Sequence, residues 1–317
     1  MCKYSVIIPH RNTLNLLRRQ IESIPIRNDL EVLVIDDNST TVTSGEWRQF
    51  QHDYPHVRLH LTTSGKGAGY ARNVGLSHAV GQWVVFADAD DFFYPHAFNY
   101  LDRFSDSKLD VVYFVCDNKN GTTMEPCADR LPNIRRFIKE RNIDRLRYNS
   151  HVPWGKMIRR SMIEENHLRF DEVEVSNDVM FSMRVGFHVK NADVIEEPLY
   201  CCTDNPGSLY FYRTVNRAKI RLDVIKKAND FLCDNGLNDF RLTYTRAAHI
   251  NIRLLLRNNP IECIRYLWKI RYRDDHGRYL KEVYSSMKGE LYSYLDSHLD
   301  SKTKSVLRSI KHYSYRR

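Results

Sequence analysis

The sequence carries little of what would mark a zinc protein, a membrane span or a secreted chain. Its seven cysteines (Cys2, Cys116, Cys127, Cys201, Cys202, Cys233 and Cys263) are scattered, and no C-x-x-C pair occurs. Zinc-ribbon and thioredoxin motifs are thereby excluded, and the reading is reduced thiols. The adjacent Cys201 and Cys202 point to opposite faces of a strand, which suits packing rather than bridging. No run approaches the ~18 consecutive apolar residues of a membrane helix. Residues 1–12, "MCKYSVIIPHRN", enter a strand-like run without a basic leader or a small-residue cleavage site. The expectation is a cytoplasmic chain that does not span the membrane. Neither G-x-x-x-x-G-K-[ST] nor G-x-G-x-x-G occurs, so the P-loop and dinucleotide fingerprints both fail. There is no internal repeat and no low-complexity linker.

What is present is an alternation of apolar runs and helical patterns. "YSVIIP" (4–9) reads as a buried strand ended by proline. "TLNLLRRQIESI" (13–24) places Leu14, Leu17, Ile21 and Ile24 at helical spacing, with Thr13 as cap. "EVLVI" (31–35) is a second strand. A polar helix or loop covers 44–52, and "VRLHLT" (57–62) alternates as a half-exposed strand does. A glycine-bearing turn leads to a helix over about 70–80, then to the strand "QWVVFAD". This β-α-β-α-β-α-β order predicts a parallel sheet with helices on both faces. Further on, 109–116 reads as a strand, 152–166 as a turn and a helix, 168–187 as an extended piece, a turn and a helix, and 192–202 as a strand. From about 215 the chain reads as helices.

In such sheets ligands sit at the C-terminal ends of the strands. Here the strands exit into "PHRN", "DDNS", "TSGKG" and "DADD". Asp88 and Asp90, two apart on extended backbone, point to one face. Paired carboxylates at the end of a buried strand suit Mg²⁺ or Mn²⁺ held together with a diphosphate. The plainer reading is a solvated turn with Asp91 capping the next helix. "DDNS" fits a turn or cap equally with Asp37 accepting a hydrogen bond from a nucleotide base. Gly65, Gly67 and Gly69 either cradle a phosphate or loosen the loop. Lys66 and Arg72 either meet that phosphate or face solvent.

Taken in order, "YSVIIPHRN", "VLVIDDNST", "GKGAGYARNVGLSHAVGQWVVFADADD", "VPWGKMIRRSMI" and "SNDVMFSMRVG" resemble the inverting nucleotide-sugar glycosyltransferases of family 2, over roughly residues 3–200. The resemblance implies the GT-A fold, Rossmann-like, with a mostly parallel central sheet flanked by helices. The expected division is a catalytic domain over 1–210, which carries the resemblance, and a helical basic region over 211–317, read from its own pattern and charge. The resemblance further implies that Asp37 contacts the base, with Pro9 lining the same pocket. Asp88 lies near the ribose, Asp90 ligates Mn²⁺ or Mg²⁺, and Lys66 and Arg72 lie beside the nucleotide. Asp178 matches the catalytic base, and Trp154 and Lys156 lie near the acceptor or the diphosphate. The sequence departs from the family at Asn177, where Glu is frequent, and at His10-Arg11, where Tyr is common. On this reading Asp178 removes the proton of an acceptor hydroxyl as it attacks the anomeric carbon, while metal and cations stabilise the leaving diphosphate. An N-cap role for Asn177 and Asp178 is compatible with that. The implied donor is a UDP-sugar, and the implied acceptor a glycan or lipid-linked oligosaccharide in surface polysaccharide synthesis.

Charge is lopsided. Residues 241–317 hold 17 Lys and Arg against 7 Asp and Glu, whereas residues 1–240 hold 31 against 32. The C-terminal third therefore has an anionic partner or a solvated basic face. Residues 246–273 carry Ile250, Leu254, Ile261, Ile264, Leu267 and Trp268 among Arg and Lys, with Pro260 separating two helices. They pack on the catalytic domain or meet anionic lipid on the inner face of the membrane. The tail "IKHYSYRR" is expected to fray. Two alternatives use the same features: a nucleic-acid or anionic-surface binding protein acting through the basic helices, and a transferase-like fold that only binds. The tail lacks zinc-finger or zipper spacing, and no nucleic acid is expected. A sugar nucleotidyltransferase needs a glycine-rich segment after the first strand, and "PHRNTLN" has none.

Overall fold

A computed structural model describes residues 2–205, 214–240 and 246–271. The chain divides into two compact units, residues 1–211 and 212–317.

The first unit is built on one eight-stranded sheet. Its strands are β1 (Tyr4–His10), β2 (Leu30–Asp36), β3 (Val57–Leu61), β4 (Trp83–Phe86), β5 (Phe92–Phe93), β6 (Val111–Asn120), β7 (Lys156–Arg159) and β8 (Ala192–Asp204). They lie in the order β3-β2-β1-β4-β7-β6-β8-β5. β1, β2, β3 and β4 pair in parallel, as do β6 and β8, whereas β7 runs antiparallel to both β4 and β6 and β5 runs antiparallel to β8.

Period-2 geometry decides which side chain faces which layer. Val6, Ile8, Val32, Val34 and Val85 face one core, which is covered by α1 (Leu14–Glu22), α2 (Ser44–Asp53) and α4 (Ala97–Asp102). Ile7, Leu33, Ile35, Val84 and Phe86 face the other. That core is closed by α3 (Ala68–His78), α5 (Pro132–Lys139), α6 (Ile143–Asn149), α7 (Arg160–Glu165) and α8 (Asn177–His188). Because both faces are covered, the central strands read as continuous apolar runs.

Three local expectations are corrected. Thr13 makes no side-chain cap for α1; its N–H donates to His10 Nε2 at 3.1 Å. Residues 156–159 are strand β7, not part of a helix. The segment is four residues long and carries Lys and Arg at its ends, so it shows no strand period. Asp91 caps no helix; it is buried, 4 % exposed.

The second unit contains α9 (Val215–Asp234), a 3₁₀ turn (Asn238–Phe240), α10 (Arg246–Asn258) and α11 (Pro260–Arg271). Pro260 begins α11, where its missing N–H costs nothing. Among the described residues of the last two helices Asn251, Ile252, Leu255, Leu256, Cys263 and Tyr266 are buried, and the Tyr266 hydroxyl donates to the Leu222 carbonyl at 2.7 Å. Ile250 and Ile261, expected in an apolar stripe, are exposed, and Leu254 is half-buried. The side chains of Ile264, Leu267 and Trp268, and the tail 310–317, lie outside the described residues. All seven cysteines are free thiols.

Candidate active site

Adjacent parallel strands end at one edge, so the exits of β1, β2 and β4 share a rim. His10 at the end of β1 lies 2.8 Å from Asp36 at the end of β2. Its Nε2 accepts the Thr13 amide, so the ring proton sits on Nδ1 and is donated to Asp36. Burial pushes the Asp36 carboxyl up, but hydrogen bonds from His10 and Ser39 outweigh it, and its pKa is lowered. The Ser39 N–H donates to Asp36 Oδ2 at 2.9 Å, so Asp36 makes the turn.

Asp37 is different. Its Oδ2 accepts the Gly67 N–H at 2.7 Å, and Arg11 lies 3.7 Å away. Its buried Oδ1 has no partner among the described residues. Burial raises its pKa. Gly67 has φ 97°, which a side chain would strain, and this turns its amide toward Asp37. At Gly69 an added Cβ would run into the Asp171 carbonyl and Asn177, so glycine lets α3 approach the start of α8.

Arg72 on α3 joins three pieces of the rim. It is 5 % exposed and donates to Asp88 Oδ1 at 2.6 Å and to Asn177 Oδ1 at 2.8 Å, with its guanidinium over the Phe170 ring. Asn177 is thus the neutral acceptor for an arginine already paired with a carboxylate. Asp178 follows it in the first turn of α8, entered through Ser176 at φ 58°. Neither residue is the N-cap. No side chain of another described residue hydrogen bonds to the Asp178 carboxylate, and its own backbone N–H favours the ionised form. Burial and the nearby Asp88 raise its pKa, and Arg72 and Lys156 pull it down; burial prevails.

The three aspartates after β4 divide their roles. Asp91 accepts from the Tyr200 hydroxyl at 2.8 Å and from the Thr203 N–H at 2.7 Å. The same Tyr200 oxygen accepts the Asp88 N–H at 2.8 Å. Asp90 Oδ2 accepts from Asn205 at 3.1 Å, while its carbonyl accepts from Arg19 and Thr203. Burial first, then Asp88, raises the Asp90 pKa. Asp88 Oδ2 and Asp90 Oδ1 therefore accept no hydrogen bond from the side chain of another described residue. Carboxylate oxygens under mutual repulsion suit a hard divalent cation. Among the described residues no three His, Cys, Asp or Glu side chains converge.

The remaining predicted residues sit as follows. Pro9 is half-buried on β1 beside Ile35. Lys66 is exposed, 4.0 Å from Glu172 and 4.9 Å from the Tyr70 ring. Trp154 is buried and stacks on Tyr200 with ring centroids 6.0 Å apart. Lys156 is buried, and its ammonium donates to the Ser150 carbonyl and to Ser182 Oγ. Sequence reasoning missed Tyr200, Thr203, Asn205 and Arg19. The first two sit in an apolar strand segment, "PLYCCT", with no local signal of a site.

A model of glycosyl transferase family 2 matches residues 5–166. The chain is 30% identical over 214 residues to an uncharacterized glycosyltransferase of Escherichia coli K12, YibD, covering 62% of this chain and 60% of that protein. It is 24% identical over 210 residues to the poly(ribitol-phosphate) β-N-acetylglucosaminyltransferase TarS of Staphylococcus aureus, covering 63% of this chain and 35% of TarS. The match thus spans less than two thirds of either relative. Among solved structures, S. aureus TarS 1-349 in complex with UDP-GlcNAc aligns with a TM-score of 0.60 at 20% identity, covering 89% of this chain and 81% of that one. The mannosyltransferase PcManGT from Pyrobaculum calidifontis, in complex with GDP-Man and Mn²⁺, aligns at 0.56 and 18% identity, covering 98% and 84%. These likenesses show the fold, the GT-A arrangement of a mixed sheet between helical layers. The family match takes in more than half of the 317 residues, and the chain belongs to glycosyl transferase family 2.

Proposed function

We propose that this protein transfers a sugar from a nucleotide-sugar, a UDP-sugar first among them, to a hydroxyl of a glycan or lipid-linked acceptor, with inversion at the anomeric carbon. The carrying observation is that the groups left unpaired on the rim are those such a transfer needs. Asp37 Oδ1 is a buried acceptor awaiting a donor, and a nucleobase N–H answers it. Asp88 and Asp90 each keep an oxygen that no other described side chain claims, at the end of β4. The Asp178 carboxylate is free to take a proton, and burial makes it a stronger base than an exposed aspartate. Arg72 holds Asp88 and the start of α8 in one frame, and Pro9 lines the base side.

A divalent cation would be held by Asp90, with Asp88 beside it, together with the diphosphate; bound there it supplies charge that favours departure of the diphosphate. Asp178 then abstracts the acceptor proton, and attack from the face opposite the leaving group inverts the configuration. The solved complexes of TarS with UDP-GlcNAc and of PcManGT with GDP-Man support this class of donor. Relatives such as TarS support surface-polymer synthesis as the setting. Among the described residues no helix is long and apolar enough to cross a membrane. Contact with an acceptor or an anionic membrane is assigned to the basic C-terminal region, with residues 1–210 as the catalytic domain.

The test is turnover. Candidate nucleotide-sugars are incubated with Mn²⁺ and a panel of glycan acceptors, and the product anomer is read by NMR. Transfer with inverted configuration, lost in Asp178→Asn, supports the proposal. Retained configuration, or full activity in Asp178→Asn, overturns it. Salt-dependent binding of nucleic acid with no donor turnover would favour the basic helices as the working surface.

A further inference from the structure

Lys156 is a buried cation with no carboxylate in hydrogen-bond contact. It is 2 % exposed, and its Nζ donates to the Ser150 carbonyl at 2.6 Å and to Ser182 Oγ at 3.3 Å. Both acceptors are neutral, and the Tyr113 ring centroid lies 5.9 Å away. An ammonium in such surroundings is costly unless negative charge faces it. Burial pulls its pKa down to about 7, while Asp178 and the Cys116 thiol act in the opposite direction. Two further titratable neighbours are Tyr113, whose phenol burial pushes up, and His151, pushed down to about 4 by burial, with a smaller downward push from Lys156.

The connections of this ammonium lead to the rim. Ser182 is four residues after Asp178 in α8, so both side chains stand on one helix face, with Cβ atoms about 5–6 Å apart. Ser182 Oγ in turn donates to the His151 carbonyl at 2.9 Å. One lysine on β7 therefore ties the residue after α6 and the middle of α8 to the centre of the sheet. Around Asp178 the acting charges are Arg72 from α3, Asp88 from the end of β4 and Lys156 from β7. Arg72 is already committed to Asp88 and Asn177.

We propose that Lys156 is a positioning residue for Asp178: it fixes the part of α8 that carries the carboxylate and supplies the buried positive charge that keeps it ionised. This rests on the reading of Asp178 as the proton acceptor. A lysine needed only for packing would not need its charge, and the test turns on that difference.

The test is ¹³C NMR of protein labelled at the aspartate carboxyls, with the Asp178 signal assigned by its loss in Asp178→Asn. Lys156→Gln keeps amide donors but removes the charge; Lys156→Arg keeps the charge. In Lys156→Gln the Asp178 midpoint is expected to rise by about one pH unit or more, while in Lys156→Arg it stays near the wild-type value. A midpoint unmoved in Lys156→Gln overturns the proposal. Should that variant not fold, the wild-type protein decides: the Asp178 signal must show a second inflection as Lys156 loses its proton, and its absence overturns the proposal equally. Donor turnover is measured alongside. Full turnover by Asp178→Asn defeats the reading of Asp178 as base, whatever the midpoint does, so the two failures stay distinguishable.

Discussion

The Tyr200 hydroxyl donates to Asp91 at 2.8 Å across 109 residues of sequence and accepts the backbone N–H of Asp88 at 2.8 Å. One phenol from β8 thus sets the course of the acidic loop after β4. The third aspartate of "DADD" is the loop's anchor, while the first pairs with Arg72 and the second with Asn205. A buried phenol between two elements of the rim makes the geometry of Asp88 and Asp90 depend on a strand far away in the chain.

Tyr200→Phe removes the donor to a buried carboxylate. The expected loss of stability is ~1–3 kcal/mol, the cost of leaving a buried polar group without its partner. Thermal or urea unfolding measures it. Donor affinity is expected to fall with it, because the Asp88 amide loses its acceptor. A variant as stable as wild type, with unchanged affinity, would contradict the anchor role.

Arg72 spans two acceptors on different elements with one planar fork. Arg72→Lys keeps the charge but cannot reproduce that fork. Both Arg72→Lys and Arg72→Ala are expected to weaken nucleotide binding, by about tenfold or more, the equivalent of losing ~1.4 kcal/mol. Calorimetry on the three proteins checks this. Full rescue by lysine would mean that charge alone matters.

Asp37 has one oxygen occupied by the Gly67 amide and one unpaired. Asp37→Asn can still accept the Gly67 N–H, so the melting temperature should change little. Its second position becomes a donor where a nucleobase N–H also donates. Nucleotide affinity is therefore expected to fall by about 10²-fold, as when a buried polar group is left unpaired. Equal affinity in the variant would remove Asp37 from the base pocket.

The buried Lys156 has a signature in stability against pH. Its pKa is lowered from 10.5 to about 7. Between those values the unfolded chain holds the proton and the folded chain does not, so this group makes stability rise with pH across that window and costs most below it. Buried tyrosines and cysteines with raised pKa values oppose the rise in the alkaline range, so the comparison is with Lys156→Met. The wild-type-minus-variant difference in unfolding free energy should increase from about pH 7 to pH 10. A difference flat with pH would contradict the burial of an ionisable amine there.

Several features were legible because burial and chemistry repeat along the chain. β1, β2 and β4 are apolar runs covered on both faces, and each exits into polar residues, so strands and rim were both readable. β7 was not, since four residues with charged ends resemble the start of a helix, and its place between β4 and β6 is a tertiary fact. Asp91 read as a cap because its partner Tyr200 lies beyond any local window. Lys156 and Trp154 belong to a resemblance-bearing stretch, yet they are buried under the rim; sequence pattern marks a neighbourhood without showing depth. In the second unit Ile250 and Ile261 fit a helical stripe, but the buried stripe is the one through Ile252, Leu255 and Leu256.

The central claim is that the ends of β1, β2 and β4 form a site for a nucleoside diphosphate and a cation. The direct measurement is calorimetric titration of UDP, GDP, CDP and dTDP into the protein, with and without Mn²⁺, and into Asp90→Ala. The expected result is binding of one diphosphate that strengthens with Mn²⁺, with the metal dependence lost in the variant. Mn²⁺ alone should bind weakly, because no three ligating side chains converge among the described residues. Failure of all four to bind, with or without metal, or identical binding by Asp90→Ala, would contradict the account.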